Sequence, residues 1–274
     1  MFPPRRIVCL TEETVETLYL LGEQDRIAGV SGYAVRPPRV RKEKPRVSAF
    51  VSADIPKILA LDPDLVLAFS DLQADIVAEL IRHGVAVHAF NQRSVAGILA
   101  MIRTLGALVD AGDKAEALAQ RLDERVAAVR ARSRALPARP RVYFEEWDDP
   151  MISGIGWISE LTDIAGGIDV FSALSGEARA TGRIVTPEQV IAAQPDMIVG
   201  SWCGRKFVPK KVAARPGLES VPAVRDGALS EIKSSIILQP GPAALTDGLD
   251  ALVVLIAGWS AQRAGGIRPS ASAR

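Results

Sequence analysis

The chain has 274 residues, enough for one large or two modest domains with cores of their own. Its 48% hydrophobic and 24% charged content is ordinary for a globular protein. With 33 basic against 32 acidic side chains the net charge is +1, which excludes a general affinity for polyanions and leaves no nucleic-acid partner expected.

Met1-Phe-Pro-Pro-Arg-Arg leads straight into an apolar strand, Ile7–Leu10, with no long apolar leader of the secretory kind. On that reading the chain is either trimmed or stays inside the cell. Thr11 can cap a helix running to Leu21, with Glu12 and Glu13 in the first turn where the dipole favours acids, and Gly22 closes it. A second strand covers Ile27–Ser31. The Arg36, Arg39, Arg41, Lys42 and Lys44 run that follows is interrupted by prolines and reads as a solvated loop. A helix from Ala74 to His83 stops at Gly84, and Val85–Phe90 is the next strand. Strands alternating with helices predict a parallel sheet covered by helices.

Ser94–Val109 reads as a helix, and a longer one starts at Asp113, with Glu116 in capping-box position, and ends near Leu136 before Pro137. Ala115, Leu118, Ala119, Leu122, Val126 and Val129 make its apolar stripe. Its length suits a rigid strut joining two lobes; an ordinary packed helix fits the same pattern. A second series begins at Arg141–Trp147, with helices at Trp157–Ala165 and Lys210–Ala214 and a strand at Ala228–Ile232. Leu245, Leu249, Leu252, Val253 and Ile256 form the stripe of a final helix, and the apolar run Ala251–Trp259 is too short to span a bilayer. Residues 265–274 are low in complexity and read as a disordered tail.

One segment recurs. Ile58-Leu-Ala-Leu-Asp-Pro-Asp-Leu-Val-Leu67 returns as Val190-Ile-Ala-Ala-Gln-Pro-Asp-Met-Ile-Val199, so that Asp64 reappears 132 positions later as Asp196. Each copy reads as a short helix, a Pro-Asp turn and a buried parallel strand. A repeat at half the chain length is too long for a solenoid. It predicts two Rossmann-like α/β lobes, residues 1–110 and 137–264, joined by one long connecting helix over 111–136, with a ligand cleft between the lobes.

In open α/β sheets ligands bind beyond the carboxyl ends of the strands. Those ends, with the nearby loop at Phe50 and the helix start at Trp157, collect Tyr33, Phe50, Phe69, Trp147, Trp157 and Trp202 in a chain with only 5% Phe, Trp and Tyr. Such aromatics suit a large, flat, partly apolar ligand; for Phe50 and Phe69 a place in the core fits as well. Cys203 reads either as a reactive thiol or as a buried or ligand-lining one. Cys9 and Cys203 lie in different halves, so no disulfide is expected. The two histidines, His83 and His88, supply no metal site, and no nucleophile–base pair, phosphate loop or dinucleotide fingerprint is present. A catalytic role is not expected.

The segments Ile7–Gly22, Ile27–Ser31, Ile58–Leu67 and Leu161-Thr-Asp-Ile-Ala-Gly-Gly167 resemble the Fe-siderophore/vitamin B12 class of ABC-transporter substrate-binding proteins, over about Arg5 to Trp259. Glu146-Trp-Asp-Asp-Pro150, Trp157–Leu161, Cys203-Gly204 and Pro240-Gly-Pro242 are most similar to its cobalamin-binding branch. The resemblance implies a monomeric, extracytoplasmic receptor that holds cobalamin or a related corrinoid between two lobes and delivers it to an ABC permease dimer. Tyr33, Phe50 and Phe69 match its ligand-covering aromatics, and Glu188 matches a glutamate that docks on permease arginines. The counterpart of Glu188 in the first copy is Pro56, which leaves Asp54 as the nearest acid. A rival within the fold is a ferric siderophore or haem, with Arg179, Arg183 and Arg205 as anion ligands. A rival of another class is a cytoplasmic corrinoid-handling protein or enzyme without a permease.

Overall fold

The computed structural model describes residues 2–265, which divide into two compact units. The first comprises 2–92, Ala96–Asp123 and Gln239–Ala243; the second comprises Arg93–Val95, Glu124–Leu238 and 244–265. The long helix is therefore shared at Asp123/Glu124 rather than standing as a segment of its own. Two short stretches belong with the unit opposite to the one their chain position suggests. Apart from Gly265, the expected tail lies outside the described residues.

The first unit holds, in order, β1 (Ile7–Cys9), α1 (Glu12–Leu21), β2 (Ile27–Ser31), α2 (Val40–Glu43), β3 (Arg46–Ser48), α3 (Ile55–Ala60), β4 (Leu65–Phe69), α4 (Ala74–Arg82) and β5 (Val87–Phe90). The helix α5 (Val95–Leu108) and the first half of α6 (Gly112–Ser133) follow. All five strands are parallel, in the order β3-β2-β1-β4-β5, with Ile7 opposite both Ile27 and Leu65. Parallel strands covered on both faces are apolar throughout, and Leu65–Phe69 is buried at every position. Val8, Leu10, Val47, Ile58, Val66 and Leu80 knit one core cluster here.

The Pro/Arg-rich stretch is more than a solvated loop. Val40 is fully buried at the start of α2, Arg36 pairs with Glu16 at 2.8 Å, and the Lys44 ammonium donates to the Ile27 carbonyl at 2.8 Å. One buried apolar side chain and two anchored cations were enough to order a run whose charge pattern suggested none.

The second unit contains β6 (Arg141–Asp148), β7 (Met151–Ser153), α7 (Gly156–Ile164), β8 (Ile168–Asp169), α8 (Pro187–Ala193), β9 (Met197–Gly200), α9 (Pro209–Ala213), α10 (Pro222–Arg225), β10 (Leu229–Glu231), α11 (Ser234–Ile237) and α12 (Leu249–Ala264). Its sheet runs β10-β9-β6-β7, with β8 also on β6; β6, β8, β9 and β10 are parallel and β7 is antiparallel. The hairpin β6–β7 turns at Asp149-Pro150, a turn signal that the strand–helix reading passed over. The stretch Ala244–Ala264 is long and apolar enough to cross a membrane by length and composition. Leu245, Leu249, Leu252 and Ile256 are nonetheless wholly buried in the protein.

The repeat is real at the level of the backbone. Asp62 and Gln194, each just before the Pro-Asp turn, are both left-handed, with φ of 47° and 43°. The strands that follow, β4 and β9, pair in parallel with β1 and β6, the first strands of their sheets.

Candidate ligand-binding site

The strand order of the first unit leaves β1 for β2 and β3, then returns on the other side of β1 with β4. That reversal is a topological switch point, and its loops follow Cys9 and Phe69. Gln73, fully buried, organises this rim. Its carbonyl accepts the Phe69 N–H at 2.9 Å, while its amide donates to the Leu10 carbonyl at 3.3 Å and to the Phe50 carbonyl at 2.8 Å. One side chain thus ties the ends of β1 and β4 to the loop bearing Phe50. Ser70, between Phe69 and Gln73, takes a left-handed φ of 59° and accepts the Leu72 N–H at 3.3 Å.

Tyr33 sits on the neighbouring turn and is 49% exposed. The Gly32 N–H donates to the Ser48 carbonyl at 2.7 Å, which draws the Tyr33 turn against the Ser48–Phe50 loop. A Cβ on Gly32 would meet that carbonyl at 3.2 Å, so the approach favours glycine. The turn of Tyr33 and the loop of Phe50 are therefore joined at the rim, whereas Phe69 is 5% exposed and belongs largely to the core.

The first turns of α1 are acidic and buried: Glu12, Glu13 and Glu16 are 8%, 2% and 6% exposed. Thr11 precedes the helix but does not cap its backbone; its hydroxyl donates to Glu13 Oε1 at 2.7 Å. Burial, reinforced by the charge of Glu12, pushes the Glu13 carboxyl up to about 8. Glu16 accepts from Arg36 and from the Ala243 N–H at 2.9 Å. The dipole accounts for acids in a first turn and says nothing of their burial.

In the second unit the ends of β6 and β9 carry a dense charge network. Glu145, fully buried, takes a bidentate pair from Arg215 and the Trp202 indole N–H at 2.9 Å. Asp148 pairs with Arg205 at 3.0 Å and Lys211 at 2.5 Å. Burial alone would raise the Asp148 carboxyl, but Lys211 and Arg205 hold it below the usual carboxylate range. Trp147 is half-buried, with the Arg205 guanidinium over its ring at 5.1 Å. Cys203 is exposed on the loop after β9.

Trp157 and Trp202 sit elsewhere than the sequence suggested. Each is 3% exposed; the Trp157 indole donates to the Ile237 carbonyl at 2.9 Å, and Trp202 packs on Phe207 within the core. Both indoles use their one donor internally, and at that burial neither ring presents a face to solvent. Arg183 is likewise unavailable to an anion, being 2% exposed and paired with Glu146 at 2.6 Å. Arg179 and Arg205 remain exposed. Glu188 and Asp54 are exposed at the starts of α8 and α3, and Asp54 is also the cap that accepts the Lys57 N–H at 3.0 Å. In the repeat, Thr186 is the residue that does the same for Gln189.

Among the described residues no cluster of three or more His, Cys, Asp and Glu side chains could hold a metal ion. Cys9 and Cys203 form no disulfide, and burial raises the Cys9 thiol to about 12.

The model of the family described as Periplasmic binding protein matches residues 7–236. A cobalamin-binding protein of Halobacterium salinarum is 26% identical over 248 residues, covering 87% of this chain, which spans 66% of that relative's length. A vitamin B12-binding protein of Vibrio parahaemolyticus is 25% identical over 251 residues, covering 89% of this chain and 86% of its own. Among solved structures, the periplasmic heme-binding protein RhuT of Roseiflexus sp. RS-1 superposes with a TM-score of 0.79 at 25% identity, covering 92% and 99% of the two chains. The periplasmic vitamin B12 binding protein BtuF of Vibrio cholerae shares the fold, with a TM-score of 0.74 at 23% identity and coverage of 94% and 98%. With the matched segment running through both units, the chain belongs to the periplasmic binding protein family.

Proposed function

We propose that this protein is the extracytoplasmic substrate-binding component of an ABC importer, and that its ligand is cobalamin or a related corrinoid. The observation that supports the reading is the rim of the first unit, where Gln73 holds the Phe50 carbonyl and the Gly32 N–H ties the Tyr33 turn to the loop that bears Phe50. Aromatic side chains on such a rim cover a flat macrocycle with large apolar area at small cost in conformational freedom. Relatives named for cobalamin and vitamin B12 support the choice of ligand. Glu188 and Asp54, exposed at corresponding helix starts, are the proposed contacts for the permease dimer, and the receptor acts as a monomer.

Haem is the second reading, favoured by the likeness to the Roseiflexus heme-binding protein. A ferric siderophore draws less support, because Arg183 is committed to Glu146. Titrating the purified protein with cyanocobalamin, hemin and a ferric siderophore, each followed by its own absorption band, separates the three. A saturable shift with cyanocobalamin alone is the expected result. Saturation by hemin alone selects the second reading.

A further inference from the structure

Gln239–Ala243 is a short strap that belongs to the first unit although the chain on either side of it belongs to the second. Every residue in it is buried. It lies on the first turns of α1: a Cβ on Gly241 would fall 2.5 Å from the Cβ of Glu13, and the Ala243 N–H donates to Glu16 at 2.9 Å. The Gln92 amide, also of the first unit, donates to the Pro240 carbonyl at 2.8 Å.

Acceptors outnumber donors along this seam. The Pro240 carbonyl takes only a donor, which fixes the Gln92 amide in one orientation and leaves its buried Oε1 with no hydrogen-bond partner among the described residues. Gln239 Oε1 is likewise buried without a partner. The two side chains are 7% and 8% exposed. Glu13 and Glu12 add two buried carboxyl groups, the second near enough for its charge to act on the first. Glu16 has its own cation in Arg36, whereas Glu13 takes the Thr11 hydroxyl at 2.7 Å and no cation among the described residues. Orphan amide oxygens and carboxylates without a counter-ion both cost stability in a dry setting. The group that satisfies all of them together is a cation.

We infer that the seam between the strap and α1 binds a cation of the calcium class, with Gln92 Oε1, Gln239 Oε1 and the Glu13 carboxylate as its protein ligands and Glu12 supplying a second charge. The donor set is all oxygen, which selects a hard cation over zinc or a softer metal. Two carboxylates without a counter-ion call for a divalent one. Calcium accepts mixed sets of carboxylate and amide oxygens, whereas magnesium demands near-ideal octahedral geometry and keeps several waters. Only two of the members are acids, in keeping with the lack of any three-acid cluster among the described residues. Bound there, the ion fastens the strap to α1. The site is independent of which ligand the rim takes.

The full chain, stripped with EDTA and dialysed, is titrated with CaCl2 at about pH 8.5, where a proton competes least for Glu13, and compared with choline chloride of the same ionic strength. Calorimetry should show one saturable site per chain with a Kd of about 10⁻⁴–10⁻³ M, the range of extracellular calcium modules. At about 10 mM CaCl2 the melting temperature should rise by at least about 3 °C. MgCl2 should bind at least about ten-fold more weakly. Gln239→Met replaces an orphan acceptor by an apolar side chain of similar volume, so it should leave the metal-free melting temperature unchanged or higher and abolish the calcium shift. Glu13→Gln, which keeps the shape and removes the charge, should abolish it as well. No saturable heat, a calcium shift that survives both substitutions, or an equal affinity for magnesium overturns the site.

Discussion

Asp196 stands to Arg141 as Asp64 stands to Arg6. The carboxylate of Asp196 accepts the Arg141 N–H at 2.9 Å, and the Asp196 N–H donates to the Arg141 carbonyl at 2.7 Å. Asp64 makes the same exchange with Arg6, at 2.9 Å and 3.0 Å. Each arginine then reaches back to a carbonyl at the end of the preceding helix, Ala193 in one copy and Leu61 in the other. The Pro-Asp turn thus staples a helix end to the start of the first strand in each sheet. Asp64→Ala and Asp196→Ala should each cost about 1 kcal/mol and lower the melting temperature by about 3 °C in calorimetry. Sharing no partner, they should add in the double variant; a loss in one copy only would mean the two staples are not equivalent.

Glu145 is the keystone of the second rim. Its carboxylate is fully buried, and the paired Arg215 side chain is only 13% exposed. Glu145→Ala leaves that guanidinium without its counter-charge in a dry setting, a loss of about 3–5 kcal/mol. The midpoint of urea unfolding should fall accordingly, and a shift equal to that of an ordinary surface variant would contradict the network described.

Glu13 makes stability depend on pH. Burial disfavours the charge and pushes its carboxyl up from the ordinary 4.5 to about 8 in the folded protein. The folded state therefore holds a proton that the unfolded chain releases, and stability falls as pH rises from about 4.5 to about 8. Below that window Glu13 contributes nothing, because both states are protonated. Glu13→Gln should leave stability at pH 4 little changed, raise it at pH 9, and flatten the profile between. Parallel pH profiles for the two proteins would show that the carboxyl is charged throughout.

Ligand affinity and fold stability should separate along the aromatic residues. Tyr33→Ala and Phe50→Ala are each expected to weaken ligand binding about ten-fold, the order of a buried aromatic contact, with little change in melting temperature for Tyr33. Trp157→Phe should do the reverse: it strands the Ile237 carbonyl at a cost of about 1–3 kcal/mol and leaves affinity alone. A weakened ligand in Trp157→Phe with unchanged stability would return that indole to the binding surface.

The repeat and the alternation of strands and helices were legible because they rest on local chemistry. A Pro-Asp turn ends a helix wherever it occurs, and a run such as Leu65–Phe69 has few places to go but a buried parallel strand. What was hidden depends on pairing across the chain. Trp202 and Trp147 stand five residues or fewer from strand ends in sequence, but only one has a buried carboxylate, Glu145, waiting for its indole N–H. Arg183, a candidate anion ligand by sequence, is taken up by Glu146, 37 residues away. Gln73 carried no signal at all, since a glutamine at a helix start is common, and its three hydrogen bonds join segments up to 63 residues apart. The burial of Glu12 and Glu13 ran against the usual exposure of acids in a first turn.

Isothermal titration of the purified protein with cyanocobalamin decides whether this chain is a corrinoid receptor. A corrinoid receptor gives a single saturable transition at one ligand per chain, with a concurrent shift of the corrin absorption band. No heat and no spectral change up to high micromolar ligand would contradict it.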